Sequence, residues 1–387
     1  MPECSIGLAQ GQLRAWGFIG RCNRHSAVEQ VISGMQTSVI ESLGAVLDLI
    51  APPVSENEAR ELASTHFGMD GVVRGLAGER DRNFHLRDSS GREYVVKIAH
   101  PEEDPDVIDL QSKVLQHVAF RDPALPVPRV MELLSGSDTA FVWEKPGTKP
   151  RLVRVLTYLP GYPLAEAAPT HLQCSQIGAT LARLDRALQG FSHPAEGHDL
   201  LWDLQQVARV RKILPAIADS AHRGLAHKFL DHFEMFAAPV MDRLRRQVIH
   251  NDFNPHNILS DSRNGGKISG IIDFGDVVCA PLVQDLAVAA AYHIGPESPP
   301  LDKVSSMVAA YHAGNPLTVE EIEILPDLLG ARLVLSVAIG SWRAARDPGN
   351  AAYITRNLPK AWNGLAGLDS LSRTDAQATL KSACRMG

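Results

Sequence analysis

Cysteine is scarce in this chain and never clustered. The five present, Cys4, Cys22, Cys174, Cys279 and Cys384, are odd in number, far apart and form no CxxC pair. That excludes a disulfide framework and a thiolate zinc site, and it fits a reducing compartment. Long hydrophobic runs are also missing, and no apolar stretch reaches the ~18–20 residues that span a bilayer. The opening "MPECSIGLAQGQLRAWG" lacks the apolar core of a signal peptide. A cytoplasmic protein without membrane contact is expected. Nor is there an excess of positive charge: 38 Lys and Arg stand against 44 Asp and Glu, a formal net charge of -6. A broad nucleic-acid surface is therefore not expected, although a local basic pocket for a phosphorylated ligand is compatible with this balance.

What is there begins with length. A chain of 387 residues exceeds one compact core, so two lobes are expected. Residues 1–34 carry no periodic apolar face and read as a loosely ordered extension. Helical spacing starts with "SVIESLGAVLDLI" (38–50) and continues in 52–68, where Ser55 and Glu58 fit a capping box and Gly68 a C-terminal stop. From 72 to 99 the pattern is that of strands, with a turn at "DSSG". A helix follows over 106–120 with Val107, Leu110, Val114, Leu115 and Val118 on one face, and then further extended segments. After "LPG" (159–161) the chain reads as mainly helical, with a long amphipathic helix over 171–191. The expected fold class is α+β: a nucleotide-binding lobe with leading helices over 35–158 and a helical lobe over 159–387.

One segment breaks the helical region. "HNDFNPHN" (250–257) holds far more hydrogen-bonding side chains than a turn requires. After it come "IL", an "NGG" turn and "KISGIIDFGD", a β-hairpin pattern that returns the chain to Asp273. Phosphoryl transfer from a nucleotide needs a carboxylate to orient and deprotonate the acceptor, oxygen ligands for magnesium, a cation for the phosphates and a loop to cover them. The spacing His250-Asn251-Asp252-x-x-x-x-Asn257, then Asp273-Phe274-Gly275, with Lys97 in "VVKIA", matches the kinase arrangement of catalytic loop, DFG and strand lysine. Asp252 is thus the candidate base, and Asn257 and Asp273 the candidate magnesium ligands. His250 is read as a brace of the loop, His256 as structural or solvent-facing, and Asp285 as a helix cap that also braces the loop.

On these motifs, and on "RDRNFHL", "DLQSKVLQH", "RVLTYLPG" and "LLWDL", the sequence resembles the aminoglycoside phosphotransferase and choline kinase superfamily over about residues 55–350, most of all its hydroxylysine kinase branch. The resemblance implies a protein-kinase-like bilobal fold, with a small β-rich N-terminal lobe and a larger helical C-terminal lobe. It implies Mg2+ with GTP or ATP as co-substrate, and a small hydroxylated amine or amino acid as acceptor, foremost 5-hydroxylysine. Homoserine, choline or an aminoglycoside is the alternative, and a regulatory pseudokinase the alternative of another class. Lys97 is then expected on the phosphates, paired with a helix residue. The position aligned with the usual glutamate is Gln111, a neutral brace, with Asp109 two residues away. The loop 75–83 has two glycines and no G-x-G-x-x-G; Gly78 and Asn83 are its expected nucleotide-side residues. "RVLTYLPG" is the expected hinge, with Thr157 and Leu159 beside the base. Trp202 and Asp203 suit an ammonium group, and Asp276 is expected to face the cleft.

Overall fold

A computed structural model of the chain describes residues 52–78, 80–295 and 299–386. The extension expected over 1–34 and the helix expected over 38–50 lie outside the described residues.

The first described helix, α1 (Glu56–Phe67), starts where its chemistry dictates. Ser55 and Glu58 form a reciprocal capping box, and Gly68 ends the helix in the left-handed conformation at φ 69°. Three antiparallel strands follow: β1 (Gly71–Leu76), β2 (Arg82–Asp88) and β3 (Glu93–Ile98). Helix α2 (Pro105–Arg121) is capped by Asp104 and buries all five of the residues expected on its apolar face. Strands β4 (Ala140–Trp143) and β5 (Arg151–Thr157) complete one five-stranded sheet in the order β1-β2-β3-β5-β4. Its core joins Phe84, Leu86, Val96, Ile98, Val153 and Val155 to Ala59, Ala63 and Phe67 of α1.

Beyond Thr157 the chain is mainly helical. Helix α3 (His171–Leu188) ends three residues earlier than its periodicity predicts, because the chain turns out at Gln189. The helix α4 (Leu282–Ala291) is buried along its whole length. The longest helix among the described residues, α5 (Val319–Arg346), is opened by a Thr318–Glu321 capping box.

The polar segment 250–257 is not a hairpin turn. Strand β7 (Arg246–Ile249) before it pairs with β10 (Val278–Pro281), whereas β8 (Ile258–Ser260) after it pairs with β9 (Ile268–Ile271) and with β6 (Tyr162–Pro163). The segment therefore bridges two sheets. With no strand partner for its backbone, side chains must satisfy those groups. The expected β8–β9 hairpin is present. Among the described residues no helix is long and apolar enough to cross a membrane.

Candidate active site

The bridge between the sheets is held by side chains. Asn251 adopts φ 62°, a left-handed backbone that a non-glycine residue enters only when its surroundings enforce it. The enforcing group is Asp285 on α4, whose carboxylate accepts the N–H of His250 at 2.9 Å and of Asn251 at 2.8 Å. Asp285 does not cap its helix, since Pro281 holds the N-cap position without a side-chain bond. Its partner is Asp185 on α3. Both carboxyls are fully buried. Burial first, then the charge of Asp285, raises Asp185 well above the usual carboxylate range, which favours its protonated form. Burial likewise raises Asp285, to about 6, against the pull of the two backbone N–H groups.

His250 is buried and works inside the loop. Its Nε2 lies 3.2 Å from the Ile272 carbonyl, and its Nδ1 accepts the N–H of Asp252 at 3.3 Å. The imidazole is therefore the neutral Nε2–H tautomer, and burial lowers its pKa to about 4. His256 is exposed.

Asp252 is the centre of the cluster. Its Oδ1 accepts from Asn254 Nδ2 at 2.9 Å and from Arg332 Nη2 at 3.1 Å; its Oδ2 accepts from Asn257 Nδ2 at 2.7 Å. Burial raises its pKa to about 6, although Arg332 and the asparagines pull it down. Asn257 also gives its amide to the Asp252 carbonyl at 3.0 Å, which leaves its side-chain oxygen to face another partner. Across the hairpin the Ile272 N–H bonds the Asn257 carbonyl at 2.9 Å, so Asp273 follows one residue from Asn257's strand end. Asp273 takes φ 63° and leaves its carboxylate exposed. Asn257 and Asp273 are two hard oxygen donors. Among the described residues no group of three or more His, Cys, Asp or Glu is built to hold a metal. A pair of oxygens suits a divalent cation that takes its remaining ligands from phosphates and water, as Mg2+ does. Asp276 is half-buried, and burial, then Asp252 and Asp273, raise it to about 7.

Lys97 on β3 lies close to Asp81, at 3.6 Å, with both side chains largely buried. This corrects the expected brace. Gln111 does not reach Lys97: its amide donates to the Gly275 carbonyl at 3.1 Å, and its oxygen accepts from the buried Arg154 of β5. Asp109 turns away and meets His193 at 3.0 Å. Arg154 stands opposite Lys97 in the sheet register, and both line a small cavity with Gln111, Asp273 and Phe274. Asn83 is Lys97's other cross-strand neighbour, and it packs under Gly78. A Cβ at Gly78 would lie 2.5 Å from Asn83 Nδ2 and 2.7 Å from the Asp81 carbonyl, so only glycine fits there. In the hinge, the N–H of Thr157 bonds Arg129 and that of Tyr158 bonds Glu93, whereas the N–H of Leu159 has no intramolecular partner among the described residues.

Trp202 and Asp203 part company. The carboxylate of Asp203 is buried and caps a 3-10 helix, taking bonds from Gln205 and, at 2.9 Å, from Gln284. Trp202 is partly buried with its ring 5.1 Å from the Arg332 guanidinium. The sequence reading missed Arg332, Arg154 and Asp81. Arg332 had a signal: a lone cation inside the apolar run "LLGARLVLSVAIG", where burial demands an anionic partner.

The model of the phosphotransferase enzyme family (APH) matches residues 72–316. A hydroxylysine kinase of Mus musculus is 28% identical over 339 residues, covering 82% of this chain and 90% of that one. A homoserine kinase of Chelativorans sp. (strain BNC1) is 29% identical over 262 residues, covering 65% and 74%. Among solved structures, an amicoumacin kinase in complex with AMP-PNP and Ca2+ superposes with a TM-score of 0.59 at 14% identity, covering 79% of this chain and 93% of that one; at this identity the likeness concerns the fold.

Proposed function

We propose, from the premise that this chain belongs to the APH phosphotransferase enzyme family and is a small-molecule kinase with a hydroxyl acceptor, that it phosphorylates a hydroxylated amino acid, foremost 5-hydroxylysine. GTP or ATP is the proposed donor. The acceptor hydroxyl lies against Asp252. As the acceptor oxygen bonds to the γ-phosphorus, the bond from that phosphorus to the β,γ-bridging oxygen breaks, and the hydroxyl proton passes to Asp252. A carboxylate whose pKa sits at about 6 is suited to this work near neutral pH. Asn254, Asn257 and Arg332 keep it aimed. Lys97 meets the donor phosphates, the loop around Gly78 and Asn83 covers them, and Leu159 offers its N–H to the base. Asn257 and Asp273 would hold Mg2+, which when bound offsets the charge of the phosphates.

The observation that carries the choice of acceptor is extent. Likeness to the hydroxylysine kinase covers 82% of this chain and 90% of that protein, whereas likeness to the homoserine kinases covers 65% to 76% of this chain and 74% to 87% of theirs. Homoserine remains the second reading, favoured by equal identity over the shared part. Steady-state turnover with Mg·GTP and Mg·ATP across hydroxylysine, homoserine, choline and an aminoglycoside tests the proposal. A kcat/KM for hydroxylysine no higher than for the other three would overturn it.

A further inference from the structure

Arg332 is the group that the reaction scheme uses least fully. It sits in the middle of α5 with 2% of its surface exposed. A guanidinium has five N–H groups. Nη2 spends its two on Asp252 Oδ1, at 3.1 Å, and on the Tyr292 hydroxyl, at 2.9 Å. Nε and Nη1 are buried and have no hydrogen-bond partner. Three N–H groups of a buried cation are thus unmatched, whereas buried donors in folded proteins are in the large majority paired. A residue kept only to aim Asp252 needs Nη2 alone, so the brace leaves the other three unexplained.

The surroundings narrow the missing partner. Asp252 already shares its two oxygens with Asn254 and Asn257, so it gives Arg332 one contact and no bidentate pair. Trp202 and Tyr292 place their rings 5.1 and 5.7 Å from the guanidinium carbon, and ring faces screen a cation without accepting its N–H bonds in line. Tyr292 is 36% exposed, and so forms the side of this group open to solvent. An acceptor whose hydroxyl rests on Asp252 therefore has a cation within reach. An aminoglycoside or a quaternary amine alcohol has no anionic group to occupy the unmatched N–H groups. A carboxylate would be attracted, and its planar pair of oxygens matches what a guanidinium offers. Asp276, whose charge also acts on Arg332, stands in the same cluster as a counterpart for the ammonium end.

We propose that Arg332 is the receptor for the carboxylate of the acceptor, so that the site selects hydroxylated α-amino acids over the corresponding amino alcohols. The proposal rests on the reading of Asp252 as the acceptor-side base. It adds a specificity-determining residue that acts alongside Asp252.

The test uses matched acceptors with the full chain and Mg·ATP or Mg·GTP: 5-hydroxylysine against 1,5-diaminopentan-2-ol, and homoserine against 3-aminopropan-1-ol. Each pair differs only in the carboxylate. In the unaltered protein the amino acid should win in kcat/KM by at least ~10²-fold, because a site built around a polar group rejects the analogue that lacks it. Arg332→Gln should lower kcat/KM for the amino acids far more than for the amines, mainly through KM, and bring the ratio to within about tenfold of unity, one 1.4 kcal/mol step. Arg332→Lys should recover part of the preference. Equal use of both members by the unaltered protein, or an equal loss for both in Arg332→Gln, overturns the proposal and leaves Arg332 as a brace of Asp252. If no pair turns over, the acceptor class of the proposed function fails on its own. Arg332 is then judged by calorimetry of the same pairs with Mg·AMP-PNP present, where failure to favour the carboxylate members overturns the proposal. If Arg332→Gln does not fold, the same comparison in Arg332→Lys decides, and an equal loss for both members of a pair there overturns the proposal.

Discussion

At the scale of single residues, the site depends on a few side chains with separable duties. Asp252 touches no group proposed to hold the donor except Asn257. Asp252→Asn should therefore leave nucleotide affinity within a few-fold while lowering kcat by ~10²–10⁴, the usual range for loss of a general base. Near-normal kcat in that variant would remove Asp252 from the role. Gly78 is a case of space. Its Cβ would meet the Asp81 carbonyl at 2.7 Å, and backbone does not yield as a flexible side chain does. Gly78→Ala should shift the loop, raise the nucleotide KM by roughly tenfold, about 1.4 kcal/mol, and leave the acceptor KM unchanged. An unaltered nucleotide KM would show that the loop stands clear of the donor.

At the scale of elements, the loop 250–257 is positioned by Asp285 on α4, whose buried carboxyl interacts with that of Asp185 on α3. Asp185 on α3, its pKa raised by burial and by Asp285, accepts the Tyr311 hydroxyl; Asp285 on α4 carries the left-handed turn at Asn251. The sign of the linkage follows. Asp185's folded pKa is raised, so its contribution to stability is complete below the unfolded value near 4 and is lost as pH rises through the folded value. Asp285, raised to about 6, acts in the same direction between about 4 and 6. Asparagine at 185 would mimic the protonated carboxyl, accepting from Tyr311 and donating to Asp285. Asp185→Asn should therefore keep activity and gain in Tm relative to the unaltered protein as pH climbs from 6 to 9. Two Tm curves that stay parallel over that range would mean that Asp185 does not carry the proton.

At the scale of the whole molecule, sheet and helices meet beside the proposed nucleotide site through Gln111. It is placed by α2, accepts from Arg154 on β5 and donates to the Gly275 carbonyl after the hairpin. A donor bound between Lys97 and Asp273 adds a second tie between the same parts. Mg·nucleotide at ~100 times its Kd should stabilise the folded chain by about 2.7 kcal/mol, seen as a Tm rise of several degrees. EDTA should remove the rise. Asp273→Ala should abolish it at the same concentration, because the carboxylate lies at the bend where a metal-bound phosphate would sit. A full shift in Asp273→Ala would exclude that residue from metal binding.

What the sequence determined by itself was the chemistry that acts over short distances. The capping box of Ser55 and Glu58, the Gly68 stop, the apolar face of α2 and the β8–β9 hairpin are local in origin, and they stand where the pattern puts them. The candidate order Lys97, Asp252, Asn257, Asp273 could be proposed from sequence because kinase chemistry calls for those residue types at those spacings. What only the tertiary structure decided was partnership across long stretches of chain. Strand β7 pairs with β10 instead of with the strand just beyond the polar segment. Lys97 faces Asp81, and Gln111 serves Arg154 and Gly275. Arg332 reaches Asp252 across 80 residues. A buried charge announces in sequence that it needs a partner, but the partner is chosen by which elements pack against each other, and that choice is made by the core as a whole.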